Sequence, residues 1–271
     1  MIEFIGVSKV YGDGPPTLDN ICLKIPAGQM CVLLGHSGAG KSTLLRTVNG
    51  LTLQSAGKII VDGVEVSKST LKHVRQKVGM IHQEFNLSQR STVATNVMSG
   101  ALAQVNWILA LLGIFPLNVR ERACNLLSSV GLDEEHLHRR IESLSGGQRQ
   151  RVGVARALIT NPVVLLADEP IASLDPSISR EILTLLRDAA KERGCAVFCS
   201  LHQVDLAKDY ADRVVGIAGG KIVFDLNPSE VDPKMLALIY GNYADPFGVN
   251  VLEKCKLENA LELGLKSEHL K

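Results

Sequence analysis

Residues 35–42, with the sequence GHSGAGKS, form a glycine-rich segment that ends in a lysine and a serine. Their spacing matches the pattern G-x-x-x-x-G-K-[ST], in which backbone N–H groups turn inward around phosphate oxygens. The apolar run Met30–Leu34 precedes the segment, and a helical pattern that starts at Lys41 follows it, so that the positive end of a helix faces the same anion. A glycine-rich turn without a ligand is the alternative interpretation. We favour phosphate binding because strand, loop and helix occur in the order that the pattern requires.

The residues of this loop offer backbone N–H groups, one ammonium group and hydroxyl groups. We expect Lys41 to bridge the β- and γ-phosphates of a nucleoside triphosphate, and Ser42 to hold Mg²⁺. The full candidate set for nucleotide binding in this segment is Gly35, His36, Ser37, Gly38, Ala39, Gly40, Lys41, Ser42 and Thr43.

A second apolar run, residues 163–167, ends in two adjacent carboxylates, Asp168 and Glu169. Because successive side chains of a strand point to opposite faces, the two acids must have different roles. Asp168 is the candidate that helps to hold Mg²⁺, and Glu169 is the candidate general base for an attacking water. A solvated strand end with two acids is the alternative interpretation, and the phosphate-binding loop upstream makes it the weaker one.

Residues 144–148, with the sequence LSGGQ, form a second glycine-rich turn at the start of a helical pattern. Ser145, Gly146, Gly147 and Gln148 offer backbone donors and a helix dipole to an anion. A plain helix N-cap at Ser145 is the alternative interpretation. One nucleotide site does not need two such cradles in a single fold, so the second cradle requires a further explanation.

These three segments, in this order and spacing, resemble the ABC transporter ATPase family over about residues 1–230. In that family two subunits pack head-to-tail, and the LSGGQ segment of each closes over the ATP held by the other. The resemblance implies that residues 145–148 act in trans and that ATP and Mg²⁺ are the cofactors. It also implies integral membrane permease subunits as partners and, indirectly, a periplasmic or extracellular solute-binding protein. The chain is then peripheral on the cytoplasmic face of the cell (inner) membrane.

Four more positions match the family only through the resemblance. Tyr11 resembles the aromatic residue that stacks on adenine, and Gln83 resembles the glutamine that senses Mg²⁺ and water. Asp175 lies in the segment SLD, which resembles the loop that communicates across the dimer. His202 resembles the histidine that contacts the γ-phosphate. Without the resemblance, Tyr11 and His202 would be an ordinary loop tyrosine and an ordinary strand-end histidine.

Three further segments are similar to the ATPases of phosphonate importers. They are DEPIASLD, with Ile171 where most relatives carry threonine, LHQVD at residues 201–205, and NVMSGAL at residues 96–102. Importers of phosphate or phosphite share much of this pattern, and amino-acid and methionine importers are the next neighbours. The solute stays open, since this subunit does not contact it.

Three other classes of protein compete with an importer ATPase. Cytosolic ABC proteins of translation or DNA maintenance usually carry two cassettes or a coiled-coil insertion, and neither pattern occurs in these 271 residues. A P-loop kinase does not need the LSGGQ segment. A regulator that binds nucleotide without turnover does not need the general base that Glu169 offers.

The elements that must position these residues alternate between strands and helices, which predicts an α/β fold with a mostly parallel sheet covered on both faces. The predicted strands span residues 30–34, 58–61, 163–167, 196–201, 214–217 and 221–224, and the predicted helices span residues 41–49, 119–130, 148–160 and 177–193. Residues 88–142 lack a clear strand pattern and predict an inserted helical subdomain. The resemblance implies a P-loop NTPase (RecA-like) core and an N-terminal antiparallel β subdomain, within an ATPase domain of residues 1–241. Residues 242–271 are a tail.

Bulk properties restrict the partners. With 29 basic and 28 acidic residues, the net charge of +1 does not favour nucleic acid as a partner. The six cysteines form no disulfide pattern, which is typical of a reducing compartment. No run reaches the roughly 20 apolar residues that span a bilayer. The longest apolar run, residues 105–116, is predicted to lie mostly in the core of the helical subdomain, with a surface role as the alternative.

Overall fold

The computed structural model describes residues 1–83, 86–106, 108–109 and 112–241. The strands are β1 (Ile2–Lys9), β2 (Leu18–Ile25), β3 (Met30–Leu34), β4 (Ala56–Val61), β5 (Val64–Glu65), β6 (Val78–Ile81), β7 (Val164–Asp168), β8 (Ala196–Ser200), β9 (Arg213–Ala218) and β10 (Lys221–Leu226). The helices are α1 (Lys41–Val48), α2 (Leu71–Lys77), α3 (Val93–Ser99), α4 (Leu117–Ser129), α5 (Gly146–Leu158), α6 (Pro176–Arg193), α7 (Val204–Tyr210) and α8 (Pro233–Tyr240). Short 3₁₀ turns lie at Leu102–Gln104, Glu134–His136, Ile141–Ser143 and Pro228–Glu230.

A six-stranded sheet with the order β10-β9-β3-β8-β7-β6 forms the centre of the fold. The strands β9, β3, β8, β7 and β6 are parallel, and β10 pairs with β9 as an antiparallel hairpin. Every residue of β3, β7 and β8 is buried, as expected for parallel strands that are covered on both faces. The carboxyl ends of these three neighbouring strands therefore meet at one edge of the sheet, where the candidate site lies.

A second sheet, with the order β2-β1-β4-β5, is antiparallel and covers one face of the central sheet. The two sheets share one apolar core with α1. The ring of Phe4 on β1 meets the ring of Phe198 on β8 edge to face, with the centroids 6.1 Å apart. The predicted α/β class with an N-terminal antiparallel β subdomain is confirmed.

The helices α3, α4 and α5 lie on the other face of the central sheet, and the LSGGQ segment starts α5. The helices α3 and α4 pack against each other and against α5, and α5 also packs against β6. Because α5 contacts both groups of elements, it joins the helical part of the chain to the central sheet. The limits of 88–142 for a helical subdomain and of 1–241 for the ATPase domain stay predictions.

The apolar run 105–116 was predicted to be mostly core, and this was wrong for several of its residues. Ile108, Leu112 and Ile114 are 50%, 66% and 53% exposed, whereas Val105 and Phe115 are partly buried against the core. Gly113 turns the backbone within this run at a φ of +69°. No helix among the described residues is both long enough and apolar enough to cross a membrane. The tail, residues 242–271, lies outside the described residues.

Candidate nucleotide-binding site

The phosphate-binding loop joins the end of β3 to the start of α1, as the sequence predicts. Gly38 and Gly40 have φ angles of +81° and +106°, which side chains with a Cβ rarely adopt. A Cβ on Gly35 would lie 2.4 Å from the carbonyl oxygen of Ile217, and one on Gly40 would lie 2.8 Å from that of Thr17. These glycines are therefore required by the backbone conformation and by the close approach of neighbouring strands.

Lys41 is the buried cation of the loop, with 5% of the residue exposed. Its Nζ donates to the carbonyl oxygens of Gly35 at 2.7 Å and of His36 at 3.1 Å. Burial lowers the pKa of Lys41, and the nearby carboxylates of Glu169 and Asp168 oppose that shift. A buried ammonium group that donates to two carbonyl oxygens and has two carboxylates nearby is well placed to pair with a phosphate.

Asp168 and Ser42 form one hydrogen-bonded group behind the loop. The hydroxyl of Ser42 donates to Oδ1 of Asp168 at 2.9 Å, and the residue Asp168 is 3% exposed. The buried hydroxyl of Ser200 donates to the same Oδ1 at 3.0 Å, and Arg46 lies 3.7 Å from Oδ2. Asp168 is the last residue of β7, and Ser200 is its register partner on β8. The sequence predicted Ser42 and Asp168 but missed Ser200 and Arg46.

Glu169 follows β7 and turns away from the surroundings of Asp168. Its φ is +49°, unusual for a residue with a side chain, and its backbone N–H donates to the hydroxyl of Ser200 at 3.0 Å. One carboxylate oxygen, Oε1, lies 2.6 Å from Nε2 of His202, which follows β8. The side chains of the two adjacent acids therefore have different partners, as the alternation of a strand predicts, and Glu169 and His202 form a carboxylate–imidazole pair at the edge of the sheet.

The LSGGQ segment caps α5 through a reciprocal capping box. Oγ of Ser145 accepts from the backbone N–H of Gln148 at 3.2 Å, and Oε1 of Gln148 accepts from the backbone N–H of Ser145 at 3.0 Å. A Cβ on Gly147 would lie 2.6 Å from Ile178 of α6, so glycine lets the two helices meet. Ser145 is exposed and Gly146 is half-buried. The plain N-cap interpretation is correct for Ser145, and the exposed helix start stays available to an anion.

The other predicted residues lie around this centre with different degrees of contact. Tyr11 is 52% exposed, and its ring carries Nζ of Lys9 at 4.8 Å from the centroid. Gln83 is exposed and lies two residues after β6, the strand next to β7. Asp175 is the N-cap of α6, and its Oδ1 accepts from the backbone N–H groups of Ser177 and Ile178. The roles that the resemblance implies for these residues stay predictions.

The donor set fits a nucleotide and Mg²⁺. The loop presents a buried ammonium group and a helix N-terminus, which suit phosphate oxygens. Ser42 and Asp168 present a hydroxyl and a carboxylate at hydrogen-bond distance, and Mg²⁺ prefers one or two such oxygen ligands together with phosphate oxygens and water. No cluster of three His, Cys, Asp or Glu residues suited to a metal occurs among the described residues. The Ser42–Asp168 pair offers a hydroxyl and a carboxylate, a donor set typical of Mg²⁺ that is bound jointly with phosphates.

Comparison with known proteins agrees with this chemistry. The family described as "ABC transporter" matches residues 18–172. A protein of Hydrogenovibrio crunogenus named "Phosphonates import ATP-binding protein PhnC" is 47% identical over 240 residues, which cover 89% of this chain and 88% of the relative. A protein of the same name from Hyphomonas neptunium is 49% identical over 224 residues, covering 83% of this chain and 86% of the relative.

Solved structures of similar fold include ATP-binding cassettes. A dimeric post-hydrolysis state of the cassette MJ0796 bound to ADP and Pi has a TM-score of 0.74 at 30% identity, covering 84% of this chain and 99% of that one. The structure of cbiO1 from Clostridium perfringens, part of the transporter complex cbiONQ, has a TM-score of 0.75 at 28% identity and covers 96% and 98%. The predicted P-loop NTPase core is confirmed by these neighbours.

Proposed function

The chain belongs to the ABC transporter family as one of its ATP-hydrolysing subunits, and we propose that it powers an importer of phosphonates or of a related phosphorus oxyanion. The observation that carries the ATPase function is the meeting of three groups at one sheet edge. They are the ammonium of Lys41, the Ser42–Asp168 pair and the Glu169–His202 pair. Phosphoryl transfer to water depends on positioning and on electrostatic stabilisation, and these groups supply both.

The residues divide the chemistry among themselves. Lys41 neutralises charge on the β- and γ-phosphates, while Ser42 and Asp168 would hold Mg²⁺, which would supply further positive charge to the phosphates. Glu169 orients the attacking water and accepts its proton. His202 holds the carboxylate of Glu169 through the 2.6 Å contact, and the resemblance implies that it also contacts the γ-phosphate. Gln83 lies at the same edge and completes the site when the nucleotide is bound.

A second copy of the chain completes each site. The LSGGQ segment presents an exposed serine and a helix N-terminus, a second anion cradle that one nucleotide in one chain does not use. Two of the structural neighbours are dimeric ATP-binding cassettes. We infer a head-to-tail homodimer in which residues 145–148 act in trans and Asp175 lies near the interface. Permease subunits hold this dimer at the cytoplasmic face of the membrane.

The substrate class rests on similarity to the phosphonate-import proteins. Relatives of that name are 43–49% identical to this chain. Ile171 distinguishes the segment DEPIASLD from that of most family members, which carry threonine there. Its side chain is buried, at 4% exposure, just after the strand that ends in Asp168. Amino-acid and methionine importers, which were kept as alternatives from the sequence, find no support among these relatives.

A growth experiment tests this function. Cells that lack the gene are expected to fail on a phosphonate as the sole phosphorus source and to grow normally on ample phosphate. Copies with Lys41→Ala or Glu169→Gln are expected not to rescue them, because the first lacks the phosphate cation and the second the general base. Lys68→Ala, which removes an exposed lysine from the turn between β5 and α2, is the matched control and should rescue. Normal growth of the deletion strain on phosphonate and phosphite, with lost uptake of an amino acid, contradicts the substrate assignment.

A further inference from the structure

The glutamine of the LSGGQ segment contacts a histidine outside the motif. Nε2 of Gln148 lies 3.1 Å from Nε2 of His136, and the contact is partly buried. His136 ends the 3₁₀ turn Glu134–His136, between α4 and the capped start of α5. The backbone just after it is fixed on the start of α3, because Ala94 donates to the carbonyl oxygen of Leu137 at 3.1 Å. The imidazole is therefore held by a different element from the one that carries Gln148.

The capping box fixes which way the amide of Gln148 points. The backbone N–H of Ser145 is only a donor, so the atom of Gln148 that faces it at 3.0 Å must be the carbonyl oxygen. The NH₂ group then faces His136, and Nε2 of His136 must accept. The backbone N–H of Ser145 therefore determines the orientation of the Gln148 amide, because it can only donate.

The same reasoning fixes the proton on the imidazole. A neutral imidazole with an accepting Nε2 carries its proton on Nδ1. Nδ1 of His136 is buried and has no hydrogen-bond partner among the described residues. In the other tautomer, the Nε2–H of His136 would face the NH₂ group of Gln148, so that two donors would meet. Rotating the amide of Gln148 would relieve that clash, but its NH₂ group would then face the backbone N–H of Ser145, which is also a donor. The neutral Nδ1–H form is therefore the one that keeps the capping box intact.

From this geometry we propose that His136 is a positioning residue for the LSGGQ cradle. It holds the amide of Gln148, the amide holds the backbone of Ser145, and the backbone N–H groups of Gly146 and Gly147 stay aimed at the phosphates of the ATP in the partner subunit. The inference rests on the proposed function, since it assumes that the cradle acts on nucleotide. His136 does not touch the nucleotide itself.

Kinetic measurements test the positioning role. His136→Leu keeps the volume and removes the acceptor, and it should lower kcat for ATP hydrolysis roughly three- to tenfold, the effect of one lost hydrogen bond. ATP affinity of the monomer, which depends on residues 35–42, should not change. His136→Gln supplies an amide oxygen at a similar reach and should restore kcat. His138→Leu, at an exposed histidine two residues along, is the matched control.

Nitrogen NMR of histidine-labelled protein reads the tautomer of His136 directly in the unmodified chain. The His136 resonances, assigned by their loss in His136→Gln, should show a protonated Nδ1 and a bare Nε2. Gln148→Glu should move the proton to Nε2, because a carboxylate oxygen then faces it. A protonated Nε2 in the unmodified chain, or wild-type kcat in His136→Leu, overturns the positioning role. Unchanged hydrolysis in Lys41→Ala would instead overturn the proposed function.

Discussion

The hydroxyl of Ser200 contacts both acids at the carboxyl end of β7. It donates to Oδ1 of Asp168 at 3.0 Å and accepts from the backbone N–H of Glu169 at 3.0 Å. Glu169 has a φ of +49°, a conformation that persists only where its surroundings hold it. Ser200 therefore holds both the carboxylate that we propose as the Mg²⁺ ligand and the backbone of the proposed general base, and it is itself fully buried.

Ser200→Ala should reduce hydrolysis while sparing ATP binding. Hydrogen bonds to charged groups contribute about 1.5–3 kcal/mol, so kcat is expected to fall at least tenfold. Ser200→Thr keeps the hydroxyl and should retain most of the rate. The matched control is Ser179→Ala, because Ser179 is also buried and its hydroxyl has no partner among the described residues. Equal rates for Ser200→Ala and the unmodified chain, measured with saturating ATP and Mg²⁺, would contradict this role.

Sequence motifs predict the residues whose spacing is local, and they miss those that only the sheet brings together. Lys41, Ser42, Asp168 and Glu169 lie in short continuous segments, so the pattern alone indicates their chemistry. Ser200 lies 32 residues from Asp168 and reaches it only through the register of β7 and β8. A buried serine in an apolar strand was the one signal in the sequence that could have indicated it.

At the scale of the elements, Asp175 shows how a motif residue also serves local structure. It caps the 18-residue helix α6, with Pro176 at the first helical position. Hydrogen bonds from the backbone of Ile178 and from Ser177 lower the pKa of Asp175. Because the pKa is lowered in the folded chain, the ionised carboxylate stabilises the fold at every pH above its ordinary pKa of 3.8. This contribution is lost as the pH falls through the lower pKa of the folded chain.

Substitutions at Asp175 separate the cap from the dimer role. Asp175→Ala should lower the melting temperature, because the first N–H groups of α6 lose their acceptor. Asp175→Asn keeps an acceptor oxygen and should melt close to the unmodified chain at neutral pH, without the loss of stability that the carboxylate suffers in acid. Calorimetry at pH 7 and pH 3 measures both effects. If Asp175→Asn melts normally and loses ATPase activity, the charge matters at the interface; if it melts as low as Asp175→Ala, the capping account is wrong.

The sequence predicted long, strongly patterned elements well and weakly patterned elements poorly. Helix α6 was predicted at residues 177–193 and spans Pro176–Arg193, since its cap, its amphipathic face and its terminal glycine agree. Only the resemblance implied strand β1. Its buried and exposed positions do not alternate regularly, so the sequence pattern alone does not indicate a strand. The run 105–116 was misassigned because apolar composition alone does not distinguish a core segment from an exposed one.

For the whole molecule, the two anion cradles lie on different parts of the fold. One joins β3 to α1 beside the catalytic acids, and the other begins α5, which packs with α3 and α4. Such an arrangement suits a two-fold pair, because a self-complementary interface repeats each contact twice and so builds two equal sites. In the proposed homodimer, each site draws Lys41 from one copy and Ser145 from the other.

Mixing two inactive variants tests this pairing. Lys41→Ala removes the phosphate cation, and Ser145→Arg fills the second cradle with a bulky side chain, so each variant alone should be inactive. An equal mixture should regain about a quarter of the unmodified activity, because half of randomly formed dimers are mixed and each mixed dimer holds one of two intact sites. Lys41→Ala mixed with the Lys41→Ala/Ser145→Arg double variant contains no intact site and should stay inactive. If mixed dimers form, as shown by tag-based purification, and the first mixture is also inactive, residues 145–148 do not act independently in trans. If ATPase activity recovers in the first mixture and not in the second, the LSGGQ segment of one copy acts on the nucleotide bound by the other copy.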